Sequence, residues 1–152
     1  MSVDLYVAVP ATQWPAPAAV EQCLAEKGYP VKLKRFPALD RHKIVTDGAL
    51  VTVDSEAEAY LEGELYPHLA RDDVKMINDR LAASSDHFQI TDDYAVMSVR
   101  VRSPAEMRAA SYVVSTLIVC FGGYGFEPQG NAHGRDDFAK SLLSSVAALK
   151  GM

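Results

Sequence analysis

The stretch ALVTVDSEAEAYLEGELY, residues 49–66, decides the fold, because it satisfies two periodicities at once. Ala57, Tyr60, Leu61 and Leu65 fall at helical spacing, and Ala, Glu and Leu favour helices. Period two fits a longer span. Ala49, Val51, Val53, Ala57, Ala59, Leu61 and Leu65 share one parity, while Asp54, Glu56, Glu58, Glu62 and Glu64 share the other. Side chains two apart lie on one face of a strand, so two strands joined near Asp54 and Ser55 are predicted rather than one long helix.

Upstream, Val3, Leu5, Val7 and Val9 alternate into a first strand that Pro10 ends. In WPAPAAVEQCLAEKG, prolines sit where a first helical turn accepts them, Val20, Cys23, Leu24 and Lys27 keep helical spacing, and Gly28 is a stop. Trp14 is expected to act as a hydrophobic staple for that helix. VKLKRF reads as a strand with Val31, Leu33 and Arg35 on one face and Lys32, Lys34 and Phe36 on the other.

Downstream, ARDDVKMINDRLAASS predicts a helix with Val74, Ile77 and Leu81 inward and an acidic start that suits the positive end of the dipole. YAVMSVRVR alternates again. Ser103, Pro104 and Glu106 form a capping box that opens a helix near 104–121, apolar on nearly every side and therefore central, which Gly122 stops. Phe138, Leu142, Val146 and Leu149 stripe a last helix near 136–149. The order predicts a single α+β domain over residues 1–152. A mostly antiparallel sheet packs one face on helices, and its first part is compatible with a ferredoxin-like βαββαβ arrangement.

Composition narrows the function. The 152 residues are 49% apolar and 23% charged, with twenty acids against fifteen bases and a net charge of −5. Binding to a phosphate backbone needs a concentrated basic face, so nucleic acid is disfavoured. AASYVVSTLIVCF, thirteen residues interrupted by Ser111, Ser115 and Thr116, falls short of the roughly 20 apolar residues that span a bilayer. MSVDLYVAVP has no basic leader, and Cys23 and Cys120 lie in apolar helical patterns without a CxxC partner. Reduced core cysteines in a cytoplasmic protein, with no membrane partner, are expected.

FGGYGFEPQGNAHGRDD, residues 121–137, is the least regular segment. Gly122, Gly123 and Gly125 follow a helix rather than a strand and no GKS or GKT comes after, so neither a Walker loop nor a dinucleotide fingerprint is present. Gly122 and Gly123 are read as a helix stop and Gly125 as turn relief. A recognition loop is the sharper reading, with Tyr124 and Phe126 exposed as rigid anchors beside Glu127, Gln129, His133 and Arg135. The same exposed rings would serve a homodimer.

Catalytic signatures are sparse. His42, His68, His87 and His133 are scattered without metal-ligand spacing, there is no GxSxG elbow, and neither cysteine has a basic neighbour to favour its thiolate. The acid pairs in TDD and the two RDD runs sit in polar company, which does not raise a carboxyl pKa for acid–base work. No cofactor and no metal are expected. The acidic stripe Asp54, Glu56, Glu58, Glu62 and Glu64, with Tyr60 and Tyr66 on its parity, concentrates charge that would steer a basic protein partner.

MSVDLYV, VTVDSEAEAYLEGELY and FGGYGFEPQG, the last after an apolar helix, together resemble small bacterial α+β proteins of mostly unassigned role, some of them immunity partners of antibacterial toxins. That resemblance implies stoichiometric inhibition of a basic toxin, and it carries over no functional residue. The expected function is thus a non-enzymatic, acidic protein-binding domain, with Glu56, Glu58, Tyr60, Glu62, Glu64, Tyr124, Phe126 and Arg135 as partner contacts. The alternative is an enzyme or small-molecule binder with a pocket at the 122–135 loop, formed by Glu127, His133 and Arg135.

Overall fold

The computed structural model describes residues 3–54, 57–67, 72–85 and 87–149, and of 147–149 the backbone alone. The expectations for Glu56 and His68, and for the side chain of Leu149, lie outside the described residues. The chain is α+β, and its described residues form two antiparallel sheets and four α-helices.

The larger sheet is built around β1 (Val3–Pro10). It pairs along its whole length with β6 (Tyr94–Val101), from Val3 opposite Val101 to Pro10 opposite Tyr94. On its other side it pairs with β7 (Tyr124–Glu127), which continues to β8 (Ala132–Gly134), and β5 (Gly63–Tyr66) completes the order β5-β6-β1-β7-β8. The smaller sheet is β2 (Val31–Arg35), β3 (Ala49–Val53) and β4 (Ala57–Leu61), in that order. The 49–66 segment therefore forms strands, with Ala49, Val51, Val53, Ala59, Leu61 and Leu65 buried on the predicted parity. A third strand, β5, was not anticipated. The ferredoxin-like start is not adopted, because β1 lies in a different sheet from β2 and β3.

Helix α3 (Pro104–Phe121) contacts strands of both sheets, and α4 (Asp136–Leu149) packs along it. Its Ser103 cap accepts from the Glu106 backbone N–H at 3.2 Å as the capping box requires, while the Glu106 carboxylate accepts from Arg102 N rather than from Ser103. Gly122 ends it in the left-handed conformation, φ 73°. The inward faces of both sheets join α3 and α4 in one apolar cluster that includes Leu5, Val7, Val51, Met97, Val113 and Leu117. A second cluster lies on the outer face of the larger sheet. There Tyr6, Ala8, Tyr66, Val96, Tyr124 and Phe126 meet Val74, Ile77 and Leu81 of α2 (Asp72–Leu81). Helices thus cover both faces of that sheet, not one.

This second layer overturns the loop reading of residues 121–137. Tyr124 is 5% and Phe126 2% exposed, because β7 places them opposite Ala8 and Tyr6 on the covered face. The run is a hairpin, and a Cβ at Gly125 would lie 2.4 Å from the Phe138 ring, so the glycine makes room for α4 rather than for a turn.

Two further expectations change. Cys23 of α1 (Pro17–Glu26) and Cys120 near the end of α3 form a disulfide across 97 residues. Sequence spacing carried no sign of it, since the two helices meet only in the fold. A bulge between Leu33 and Arg35 inverts the β2 alternation, turning Phe36 inward and Arg35 outward. Trp14 stacks on that Phe36 at 5.5 Å, and its indole N–H donates to Pro37 O at 3.1 Å, in place of the staple.

Candidate functional site

The acidic stripe is divided by the passage of the chain from one sheet to the other. Glu58 and Tyr60 stay on the smaller sheet, where the Lys34 ammonium meets Glu58 at 2.7 Å and Arg35 lies 5.8 Å from the Tyr60 ring centre. Tyr60, 39% exposed, accepts at its hydroxyl from Gly48 N. Asp54 turns to Arg108. Glu62 and Glu64 instead reach the larger sheet.

There they enter a groove of about 480 Å³ lined by Asp4, Tyr6, Thr46, Glu62, Gly63, Glu64, Tyr66, Asp73, Ser98 and Arg100. Strand register builds it. Asp4 lies opposite Arg100, and Ser98 lies opposite both Tyr6 and Glu64, so these groups form neighbouring rows on one sheet face. Asp73, in the first turn of α2, closes one end. The hydroxyls of Tyr66 and Tyr6 both donate toward its Oδ2, at 3.3 and 3.4 Å.

The groove holds four carboxylates, Asp4, Glu62, Glu64 and Asp73, against one guanidinium. Arg100 Nε stands 3.6 Å from Asp4, and Glu62 is bonded to Arg102. Burial, and then the Asp73 charge, push the Tyr6 pKa well above the ordinary value near 10. The Tyr6 hydroxyl donates toward the Asp73 carboxylate, and the raised value extends that donor role to higher pH. The groove's carboxylates are hydrogen-bond acceptors, and ammonium and guanidinium groups are the side-chain donors that complement them in charge.

The hairpin residues assemble differently. His133 Nδ1 and the Tyr124 hydroxyl share a 2.7 Å hydrogen bond, Phe88 stacks on Tyr124 at 4.0 Å, and Arg135 lies within 5.6 Å of both ring centres. Arg135 also donates to Gly122 O at 3.1 Å. His133 and Arg135 line a cavity of about 730 Å³ with His87, Asp136 and Asp137, but Glu127 does not join them, its carboxylate accepting instead from Gly130 N in the β7–β8 turn. Among the described residues, no three His, Cys, Asp or Glu side chains come together as metal ligands. No described helix is long and apolar enough to cross a membrane.

Asp4, Tyr6, Asp73, Ser98 and Arg100 were missed by motif reading. The signal of Asp4, Tyr6, Ser98 and Arg100 was present as the polar parity of β1 and β6, but which parities face each other depends on strand pairing, and Asp73 read only as part of the acidic start of α2. Compared with protein-family models, curated proteins and solved structures, the chain matches none. Its class rests on its own architecture, an α+β chain with two antiparallel sheets and an acidic groove on the outer face of the larger one.

Proposed function

We propose that this protein is a non-enzymatic binding domain whose acidic groove takes a lysine or arginine from a basic protein partner, in the manner of an immunity-type inhibitor. The observation that carries the reading is the convergence of Asp4, Glu62, Glu64 and Asp73 in one concavity, with two tyrosine hydroxyls directed at Asp73. Complementary charge of this kind accelerates encounter and fixes orientation. The contact set moves accordingly from Glu58, Tyr60, Tyr124 and Phe126 to Glu62, Glu64 and their new neighbours. A homodimer through exposed Tyr124 and Phe126 loses its basis with their burial. The Cys23–Cys120 bond supports an oxidising compartment, in place of the cytoplasm that reduced cysteines implied.

Affinity capture from the source cells tests this reading, with the parent chain and a Glu64→Lys variant as parallel baits at low and moderate salt. One stoichiometric basic protein, retained by the parent and lost both on charge reversal and with added salt, is the expected result. Equal capture by both baits would overturn it.

A further inference from the structure

Strand β2 is a terminal strand of the smaller sheet, and a groove of about 550 Å³ runs beside it. Glu21 and Ala25 of α1 form one wall; Tyr29, Leu33 and Lys32 are among the other lining residues. In an antiparallel pair, successive residues turn their backbone groups alternately toward and away from the partner strand. Asp54 N bonds to Pro30 O at 2.8 Å, and Val31 lies opposite Val53, so the alternation sends the backbone groups of Val31 and Leu33 away from β3. Val31 N is taken up locally by Tyr29 O. The C=O of Val31 and the N–H and C=O of Leu33 remain directed at the groove.

We propose that this edge docks an extended acidic peptide segment as an added strand, on a surface separate from the acidic groove and independent of it. The charge on the edge selects the occupant. Lys32 is exposed and carries no ion pair among the described residues, and Lys34 stands on the same solvent side with Glu58 as its partner. Lys32 is thus the lining cation left for an occupant, with Lys34 shared with Glu58 and Glu21 as the lining carboxylate. The same basic residues oppose pairing of this edge with the β2 of a second copy, since like charges across an antiparallel pair repel. The bulge after Leu33 limits the ladder to Val31–Leu33, so side chains must supply the specificity. Apolar residues of the peptide would face Leu33 and Ala25, and alternate acidic residues would face Lys32 and Lys34. The sheet already contains such a match in the Lys34–Glu58 pair.

The test uses the full chain and the peptide acetyl-Ser-Val-Glu-Val-Glu-Val-Ser-amide, followed by backbone amide NMR. Saturable shifts centred on Val31, Lys32 and Leu33 are expected. They should vanish with the lysine-for-glutamate peptide and with one N-methylated at the central valine, which removes a ladder donor. Lys32→Glu, an exposed change whose fold is checked by circular dichroism, should weaken the acidic peptide about twofold to fivefold. Absence of saturation at millimolar peptide, indifference to peptide charge or N-methylation, or concentration-dependent self-association through the same amides would each overturn the proposal.

Discussion

Arg108 and Asp54, 54 residues apart in the chain, are joined by two hydrogen bonds, Nε to Oδ2 at 3.0 Å and Nη2 to Oδ1 at 2.8 Å. Arg108 is only 6% exposed, and its third donor reaches Val146 O at 3.2 Å in α4. One guanidinium therefore ties the β3–β4 turn to both long helices. Asp54 occupies that turn with φ 55°, a conformation that aspartate and asparagine tolerate better than most residues.

The two partners should not be equivalent to mutation. Asp54→Asn keeps the backbone preference but leaves a buried cation without its counter-charge, an expected loss of about 3–5 kcal/mol. Arg108→Met removes the cation, and the partly exposed carboxylate regains water, so its expected cost is smaller, about 1–3 kcal/mol. Urea unfolding of both variants checks the order.

Reduction of Cys23–Cys120, or its replacement by alanines, should lower stability by about 2–5 kcal/mol, because the bond closes a long loop in the unfolded chain. Paired urea titrations with and without dithiothreitol measure it. The double-alanine variant should be insensitive to the reductant.

High pH should destabilise the fold partly through Tyr6. Its folded pKa is raised, so its contribution is complete below the unfolded value near 10 and is lost as pH climbs through the folded value. Between the two, the unfolded chain releases the proton and the native chain keeps it. Comparing unfolding free energies from pH 8 to 11 should show a shallower decline in Tyr6→Phe than in the parent.

Gly125→Ala should cost about 1–3 kcal/mol, since the new methyl would overlap the Phe138 ring and force α4 outward. Pairing the change with Phe138→Leu should recover part of the loss, as read by thermal unfolding.

The legible parts of this fold were those with local periodicity. Ala57, Ala59 and Leu61 against Glu58, Tyr60 and Glu62 marked β4, and Ser103, Pro104 and Glu106 marked the start of α3. The illegible parts depended on long-range pairing. Tyr124 and Phe126 read as exposed because glycines around them signal a turn, whereas their environment is set by α2 and Phe88. Arg108 passed unnoticed in an apolar helix because its partner, Asp54, was counted as surface charge. The groove was half visible. Glu62, Glu64 and Tyr66 belonged to the stripe, but Asp4, Asp73 and Arg100 joined it only through the β5-β6-β1 order and the seat of α2.

The stacking of Trp14 on Phe36 also gives the protein a built-in optical reporter. Trp14 is the sole tryptophan in the chain, and it bridges the approach to α1 and the exit from β2 while lining none of the acidic groove. Its emission would therefore register loosening around the smaller sheet, leaving occupancy of the acidic groove to be followed through the tyrosines that line it.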